Sequence, residues 1–273
     1  MIDYTKLLPE HETQYVGEND LFIEIYKQKD NSRKKDIPLL LVHGAYTGGW
    51  MWSKYIPHLV AQGWECYVMN LRGHYKSRSV DLTTTSFDDY LADIQEVIST
   101  YNISPIVFGF SMGGILCQKI AENDGIKGLV LIDSAISKEV NFMVPYESPA
   151  CNNLGIIEPA PIRVETSTID ESENDILFQK KYNSIESAKV FQAIGCWMQG
   201  VEGISINSEC IKCPTLVIKS LSREEKDKRG KAEATHLNAD YAGFWNMTHT
   251  GLLVGQRYLE VLDKIIPWLN TCK

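Results

Sequence analysis

The segment PIVFGFSMGG (residues 105–114) decides the fold, because it sets one polar residue between an apolar run and a pair of glycines. Residues 106–110 are continuously apolar and have the length of a buried strand, whereas the sequence from Gly113 onward is typical of a helix. Ser111 lies at the junction, with a glycine two residues to either side. The residue at the apex of such a turn has strained backbone angles, and its neighbours at this spacing must be very small. The segment therefore predicts a sharp strand–turn–helix connection with Ser111 at its tip.

The rest of the chain repeats this alternation of short strands and helices. Continuous apolar runs, which suit strands covered on both faces, occur in PLLLVHG, CYVMNLRG, GLVLIDS and PTLVIKS, with a weaker one in YAGFWNM. Apolar residues at helical spacing occur in SFDDYLADIQEVISTY and QRYLEVLDKIIPWLN. Near the N-terminus, two apolar-rich runs flank a Gly/Asn/Asp turn in TQYVGENDLFIEIY and predict an antiparallel hairpin. The pattern predicts an α/β protein with a mostly parallel, doubly wound sheet.

One stretch interrupts the alternation, between about residues 137 and 208. It begins with a proline-rich part that lacks strand periodicity, VPYESPACNNLGIIEPAPIRVE. Two helical segments follow, around DILFQKKYNS and ESAKVFQAIGCWMQG. The sequence therefore predicts a core made of residues 1–136 and 209–273, with a helical lid, residues 137–208, inserted after the strand GLVLIDS.

Composition and charge restrict the function classes. The 273 residues carry a formal net charge of −8, which disfavours nucleic acid or an anionic membrane surface as the main partner. No apolar run approaches the roughly 18 residues of a membrane span, and the first residues show no secretion-signal pattern. Seven scattered cysteines favour a reduced, cytoplasmic protein. Cys210 and Cys213 form a C-x-x-C pair, but zinc needs about four ligands and no second pair lies nearby, so no metal site is predicted.

The serine at the turn needs a base, since a hydroxyl is a weak nucleophile until its proton is removed. His249, in FWNMTHTGLL, follows the last predicted strand and precedes the last helix, so we expect it at the same sheet edge as Ser111. The N–H of Met112, at the start of the helix after Ser111, would point to the place where a carbonyl oxygen becomes negative. These residues predict nucleophilic catalysis by Ser111, with His249 as its base.

The chain resembles the α/β-hydrolase superfamily over nearly its whole length outside the lid. Four segments occur in the order and spacing of that family: LLLVHGAYTGGWMW, NLRGHYKS, GFSMGG and MTHTGLL. The first of them is similar to the branch that contains small esterases and hydroxynitrile lyases. The resemblance implies that Ala45 supplies a second oxyanion N–H beside Met112, and that His43 orients this loop. In RGHYKS the chain departs from the family, because Tyr75 stands where glycine is usual.

A second departure concerns the acid that would orient His249. Relatives usually carry it just after the strand that PTLVIKS matches, but here the chain continues as KSLSREEKDKRG, with Glu224 near the expected place. Some lipases of this fold take the acid from the end of the preceding strand, where this chain has Asp133. The resemblance therefore favours Asp133 and leaves Glu224 as the alternative acid, while Glu225, Asp227 or no acid at all stay open.

Together these features predict a serine hydrolase that needs no cofactor and cleaves an ester, thioester or lactone through an acyl-enzyme. A small, apolar substrate is inferred from the side chains expected around the pocket, Tyr46, Trp50 and Trp197, although residues of this type are more often core than pocket. Two alternatives stay open: a lyase, cyclase or C–C bond-cleaving enzyme with the same Ser/His pair, and a small-molecule binding protein without turnover. Formation of a homodimer is also left open.

Overall fold

The computed structural model describes residues 1–28 and 34–272. In this part of the chain eight strands form one large sheet and two short strands form a separate ribbon. The strands are β1 Glu12–Val16, β2 Leu21–Tyr26, β3 Leu39–Val42, β4 Cys66–Met69, β5 Ile106–Phe110, β6 Gly128–Ile132, β7 Ile157–Pro159, β8 Ile185–Ser187, β9 Thr215–Leu221 and β10 Asp240–Trp245. The order across the large sheet is β1-β2-β4-β3-β5-β6-β9-β10. Thus β4 lies on one side of β3, the later strands β5, β6, β9 and β10 follow on the other side, and the hairpin of β1 and β2 extends the sheet beyond β4.

Most neighbours in the large sheet are parallel. β1 and β2 form an antiparallel hairpin and β2 pairs antiparallel with β4, whereas the pairs from β4 through β3, β5, β6 and β9 to β10 are parallel. The hairpin turn contains Gly17 and Asp20 with φ of 71° and 44°, the left-handed conformation that a tight turn often requires. The predicted antiparallel hairpin and mostly parallel sheet are confirmed.

Helices cover both faces of the sheet, since its central strands are buried along their whole length. The helices are α1 Ile56–Ala61, α2 Phe87–Tyr101, α3 Met112–Ala121, α4 Lys138–Met143, α5 Glu173–Tyr182, α6 Ala188–Ala193, α7 Glu224–His236, α8 Gly251–Val254 and α9 Tyr258–Leu269. Buried side chains of α1, α8 and α9 share one apolar cluster, and those of α2, α3 and α7 share the other. Across the described ranges, no helix is long and apolar enough to cross a lipid bilayer.

The stretch predicted as a lid contains more strand and less helix than its sequence suggests. α4, α5 and α6 lie within residues 137–208, together with β7 and β8, which pair antiparallel with each other. The helix expected over residues 186–200 is confined to α6, because Glu186 and Ser187 belong to β8 and the Ser187 side chain caps the helix by accepting the Val190 N–H. The sequence around β7 and β8 has no alternation that would reveal a ribbon of three residues a strand.

Candidate active site

Ser111 occupies the turn between β5 and α3. Its φ of 54° and ψ of −117° lie where non-glycine residues are rarely found, at a cost of about 1–3 kcal/mol. The Ser111 N–H donates to the carbonyl of Ile132 (3.1 Å), and its carbonyl accepts the N–H of Ala135 (2.9 Å). These two bonds to the end of β6 and the residues after it hold the strained turn in place.

Glycines surround this turn for reasons of space. A Cβ on Gly109 would lie 2.5 Å from the carbonyl oxygen of Gly113, and a Cβ on Gly113 would lie 2.4 Å from that of His43. The contact atoms belong to the backbone and cannot rotate away. Gly114 meets the same limit, since its Cβ would lie 2.4 Å from Ser134 Cβ. The glycines therefore let β5, α3 and the loop after β3 approach one another.

His249 lies in the loop between β10 and α8, with its side chain 44% exposed. Its Nδ1 is 2.7 Å from Oδ2 of Asp133, which directly follows β6 and has a φ of 44°. A carboxylate can only accept a hydrogen bond, so Nδ1 carries the proton and Nε2 of the neutral ring has a free lone pair. The same Oδ2 accepts the Ser220 hydroxyl (2.6 Å). Asp133 is thus held from the neighbouring strand β9 while it orients His249.

The charge on Asp133 is stabilised by its surroundings. Burial alone raises the pKa of this carboxyl, but the hydrogen bond from His249, the charge of that ring when it is protonated, and the positive charges of Lys219 and Lys226 outweigh that effect and lower the pKa well below its ordinary value. Asp133 is therefore ionised at neutral pH, as a group that orients a histidine must be.

Ser111, His249 and Asp133 line the same cavity. The His249 ring stacks on the ring of Phe110, the residue before Ser111, with centroids 4.6 Å apart and planes inclined by 27°. The imidazole is thus carried to the turn from a loop that lies 138 residues further along the chain.

The loop after β3 runs directly beside Ser111. A Cβ built on Gly44 would lie 2.9 Å from Ser111 Cβ, and Ala45, the next residue, lines the cavity. Among residues 1–28 and 34–272, the Ala45 N–H donates no hydrogen bond within the protein. The Met112 N–H, at the first position of α3, has no intrahelical acceptor. Two backbone donors beside Ser111 therefore remain free to bind a ligand oxygen.

His43 fixes the shape of this loop. Its Nε2 accepts the Leu71 N–H (3.1 Å), so its proton is on Nδ1, which donates to the carbonyl of Gly44 (2.9 Å). Complete burial, together with nearby His74, lowers the pKa of His43 to about 3. The ring is therefore neutral and fully hydrogen-bonded, and it links the loop to the segment after β4.

The cavity has a volume of about 660 Å³. It lies above the carboxyl ends of β5, β6 and β9, where ligand sites of open α/β sheets are found. Part of its wall comes from the core, including Ala45, Tyr46, Thr47, Phe110 and Ser134. The opposite part comes from residues 137–208, including Tyr146, Pro161, Ile162, Phe191 and Trp197. In the described chain, no group of three or more His, Cys, Asp or Glu side chains is arranged to hold a metal ion.

Of the three side chains predicted for the pocket, Tyr46 and Trp197 line the cavity and Trp50 does not. Trp50 is 1% exposed and packs against Phe178 and Tyr182 of α5, with ring centroids 5.3 and 5.7 Å away. It belongs to the short 3-10 helix Gly49–Trp52, all of whose residues are buried. Trp50 is therefore a packing residue. The sequence did not reveal this, because an aromatic side chain in the segment after β3 can face either the cavity or the core.

The alternative acids lie away from His249. Glu224 is exposed at the start of α7 and does not line the cavity. Glu225 pairs with Arg229, and Asp227 pairs with Lys231 at 2.6 Å. The carboxylate that reaches the histidine is that of Asp133, because β6 ends beside the turn that carries Ser111, whereas α7 turns these acids toward its own basic residues.

A buried carboxylate for which the sequence carries no signal, Glu186 of β8, ties the lid to the core. Its Oε2 accepts His74 Nε2 (3.1 Å) and the Tyr46 N–H (3.3 Å), and its Oε1 accepts the Tyr90 hydroxyl (2.7 Å). Burial alone raises the pKa of Glu186, but the charge and hydrogen bond of His74 outweigh it and the pKa is lowered. Burial likewise lowers the pKa of His74, yet the charge of Glu186 raises it overall. This ion pair therefore fixes the backbone of the residue after Ala45.

A second polar cluster of the lid supports the loop of His249. Arg163 binds Glu171 through two hydrogen bonds of 2.9 and 3.0 Å. Glu171 in turn accepts the hydroxyls of Thr248 (2.8 Å) and Thr250 (2.7 Å). Because these two threonines flank His249, residues 137–208 take part in placing the imidazole. No local pattern in the sequence indicates this cluster, which joins residues far apart in the chain.

Comparisons with known proteins agree with this architecture. Residues 37–153 match the family model described as alpha/beta hydrolase fold. The pyrethroid hydrolase of Sphingobium wenxiniae is 23% identical over 101 residues, which are 36% of this chain and 36% of that protein. The match thus spans about a third of the length of this curated relative.

Solved structures resemble the chain over nearly its whole length. A carboxylesterase structure of the thaumarchaeon Nitrososphaera gargenis has a TM-score of 0.67 at 14% identity and covers 95% of this chain and 98% of its own. A monoacylglycerol lipase of Paleococcus ferrophilus has a TM-score of 0.67 at 20% identity and covers 91% and 98%. At such identities the likeness establishes the fold. With its strand order, its strained serine turn and the family match over residues 37–153, the chain has the α/β-hydrolase fold.

Proposed function

We propose that the protein is a carboxylic-ester hydrolase in which Ser111 is the nucleophile, His249 the base and Asp133 the acid. The contact of 2.7 Å between His249 Nδ1 and Asp133 Oδ2, at a cavity that Ser111 also lines, carries this proposal. It leaves Nε2 as the ring atom that can take a proton from the serine.

The reaction follows from these positions. Ser111 Oγ attacks the ester carbonyl carbon while its proton passes to His249 Nε2. The tetrahedral intermediate then expels the alcohol, which receives that proton, and the acyl group remains on Ser111. A water molecule next attacks the acyl carbon with His249 again as base, and the carboxylic acid leaves as the proton returns to Ser111. No cofactor is needed.

The backbone donors of the site stabilise the negative oxygen in both steps. The Ala45 and Met112 N–H groups are fixed before substrate binds, Ala45 by the hydrogen bonds of His43 and Glu186 to its neighbours and Met112 by its place in α3. Each donor of this kind lowers the barrier by about 3–4 kcal/mol. Asp133 stabilises the imidazolium form of His249 while it carries the proton.

The substrate is a small molecule with an apolar body. Apolar side chains that support this line the cavity beside Ser111, namely Phe110, Ile136, Ile162, Phe191 and Trp197. Thioesters and lactones offer the same carbonyl chemistry. The names of three similar proteins (pyrethroid hydrolase, carboxylesterase and monoacylglycerol lipase) denote ester cleavage in those proteins and support it here. We also propose that the chain is related to the branch that contains small esterases and hydroxynitrile lyases.

We further propose a role for residues 137–208, a cellular location and a kind of partner. Residues 137–208 act as the lid of the cavity, to which they contribute the wall opposite Ser111. The seven cysteines carry free thiols, which supports a reducing, cytoplasmic environment. The net charge of −8 supports a small-molecule rather than a nucleic-acid partner.

The test is turnover by Ser111→Ala. We expect the variant to lose about 10⁴-fold or more in kcat for p-nitrophenyl butyrate, because the hydroxyl that forms the acyl bond is removed. Ser99→Ala, a matched substitution at an exposed position of α2, should keep wild-type rates. A fluorophosphonate probe should label wild type once and Ser111→Ala not at all. Equal hydrolysis by wild type and Ser111→Ala would refute the mechanism.

The same experiments separate the alternatives. Turnover without any acyl intermediate, and with Ser111 unlabelled, would indicate lyase or cyclase chemistry in which His249 moves a proton. Tight binding of a small ligand with no turnover would indicate a binding protein.

A further inference from the structure

Several charged side chains line the cavity. Five cationic side chains line it: Arg163, Lys219, Arg223, Lys226 and Arg229. Three carboxylates line it: Asp133, Glu165 and Glu171. The chain as a whole has a net charge of −8, but charges more than about 8 Å apart are largely screened at physiological ionic strength. How the lining charges act on a ligand therefore depends on which of the cations already have a carboxylate close by.

Three of the five cations form close ion pairs with carboxylates, and a fourth, Arg223, has a longer contact of 3.6 Å with Glu225. These pairs are Arg163–Glu171, Lys219–Glu233 and Arg229–Glu225. Lys219 also donates to the carbonyl of Ser134 (2.8 Å), and the Arg229 guanidinium lies 3.7 Å from the ring centroid of Tyr146. The positive charges of these three side chains are therefore already compensated, and their contacts join parts of the cavity wall.

Lys226 differs from these three cations in the contacts of its charged group. Its ammonium group forms no hydrogen bond or ion pair in the part of the chain that the structure describes. It stands in the first turn of α7, where the unpaired N–H dipoles disfavour a positive charge, yet it is half-buried and faces the cavity. Its charge helps to lower the pKa of Asp133, but that carboxylate accepts its side-chain hydrogen bonds from His249 and Ser220, so the Lys226 ammonium group keeps its donors for a ligand.

Arg223 stands next to Lys226 at the mouth of the cavity. It is the residue before α7, and its side chain is 61% exposed. Its Nε lies 3.6 Å from Glu225 Oε2, an exposed contact of a kind that contributes little. The guanidinium can therefore turn toward a ligand at small cost.

We propose that Lys226, assisted by Arg223, binds a carboxylate of the substrate, so that the preferred substrates are esters with an apolar body and a negatively charged end. This inference rests on the proposed ester hydrolysis at Ser111. A substrate carboxylate would give Lys226 the charged hydrogen-bond partner that it lacks, while the apolar wall near Trp197 takes the carbon chain.

The first experiment compares two esters of the same length, mono-p-nitrophenyl adipate and its neutral methyl-capped form, after subtraction of spontaneous hydrolysis. We expect wild type to prefer the anionic ester in kcat/KM. Lys226→Met, which keeps most of the apolar stem, should lower the ratio of anionic to neutral kcat/KM by about 10-fold or more, mainly through KM. Lys226→Glu should lower it further.

The matched control is Lys228→Met, an exposed lysine of the same helix outside the cavity, which should leave the ratio within about twofold of wild type. Raising NaCl from about 20 mM to about 0.5 M should weaken turnover of the anionic ester more than that of the neutral one. A wild-type ratio near one, or a ratio that Lys226→Met leaves unchanged, would overturn the proposal.

Binding of adipate itself to Ser111→Ala protein gives a readout that needs no turnover. Calorimetric titration should show binding that Lys226→Met weakens by about 10-fold or more; binding that the substitution leaves unchanged would overturn the inference. Hydrolysis that depends on Ser111 without charge preference would refute only the carboxylate site. Hydrolysis that survives Ser111→Ala would refute the proposed mechanism, while the titration still tests Lys226.

Discussion

Asp133→Asn isolates the role of the carboxylate that touches His249. The amide has nearly the same shape, but it carries no charge and its nitrogen can donate to Nδ1 of His249, which would place the ring proton on Nε2. In that tautomer the ring cannot take a proton from Ser111. In this orientation the amide nitrogen takes the place of Oδ2, so its second hydrogen can be donated to the Ser220 hydroxyl, now 2.6 Å from that atom. The Ser220 N–H, now 3.4 Å from Oδ1, can still donate to the amide oxygen, so the side chain should stay in place.

The size of the effect follows from the distance. The closest atoms of the pair are 2.7 Å apart, so the centres of the imidazolium and carboxylate charges are about 4 Å apart, and at an effective dielectric constant of about 20 their attraction is about 4 kcal/mol. This stabilisation exists only while His249 is protonated, so its loss raises the barrier and lowers kcat by about 10³-fold. The wrong tautomer adds to this, and about 10⁴-fold is found in serine proteases.

The assay is steady-state hydrolysis of p-nitrophenyl butyrate by each variant at a pH of about 8, with thermal unfolding as a check on folding. Ser220→Ala, which removes a neutral hydrogen bond to Asp133, should cost about 10-fold. Glu224→Gln makes the same carboxylate-to-amide change at the alternative acid and should remain within about twofold of wild type, because Glu224 is exposed outside the cavity.

A loss below about 10-fold for Asp133→Asn in a folded protein would refute the assignment of the acid. A larger loss for Glu224→Gln than for Asp133→Asn would transfer the role to α7.

Three further predictions concern the frame of the site. Glu186→Gln breaks the buried pair with His74 and should lower the free energy of unfolding by about 3–5 kcal/mol. The pair lowers the pKa of Glu186 and raises that of His74 from ordinary values of 4.5 and 6.5. The difference in unfolding free energy between wild type and variant, measured by urea titration, should therefore be largest between those pH values. It should shrink as pH falls through the lowered pKa of Glu186 or rises through the raised pKa of His74. An unvarying difference would contradict the ion pair. Gly113→Ala drives a Cβ to 2.4 Å from the His43 carbonyl and should cost about 1–3 kcal/mol in stability as well as activity; unchanged melting and kinetics would contradict the packing argument. Trp197→Ala removes a large wall of the cavity and should shift the acyl-length preference in kcat/KM toward longer p-nitrophenyl esters, and an unchanged preference would exclude Trp197 from substrate contact.

Much of the core could be predicted from local pattern. Each central strand is an apolar run bounded by turn residues, and Ser86 caps the start of α2 with Asp89 three residues on, so that the side chain of each accepts a hydrogen bond from the backbone N–H of the other. These interactions act within a few residues, so each of them corresponds to a recognisable pattern in the sequence. The ribbon of β7 and β8 escaped prediction because three-residue strands are too short to show a period.

The amino-acid sequence by itself determined the turn at Ser111. Glycines two residues before and after the serine are required because a side chain at either position would clash with nearby backbone. The sequence also determined that His249 follows the last strand of the sheet. Only the tertiary structure decided which carboxylate meets His249, which aromatic side chains face the cavity, and that the Lys226 ammonium group forms no hydrogen bond or ion pair with the described residues. Those outcomes depend on contacts between segments more than 80 residues apart, such as Asp133 with His249, and no local pattern encodes which of several nearby acids or aromatic rings a fold will bring together.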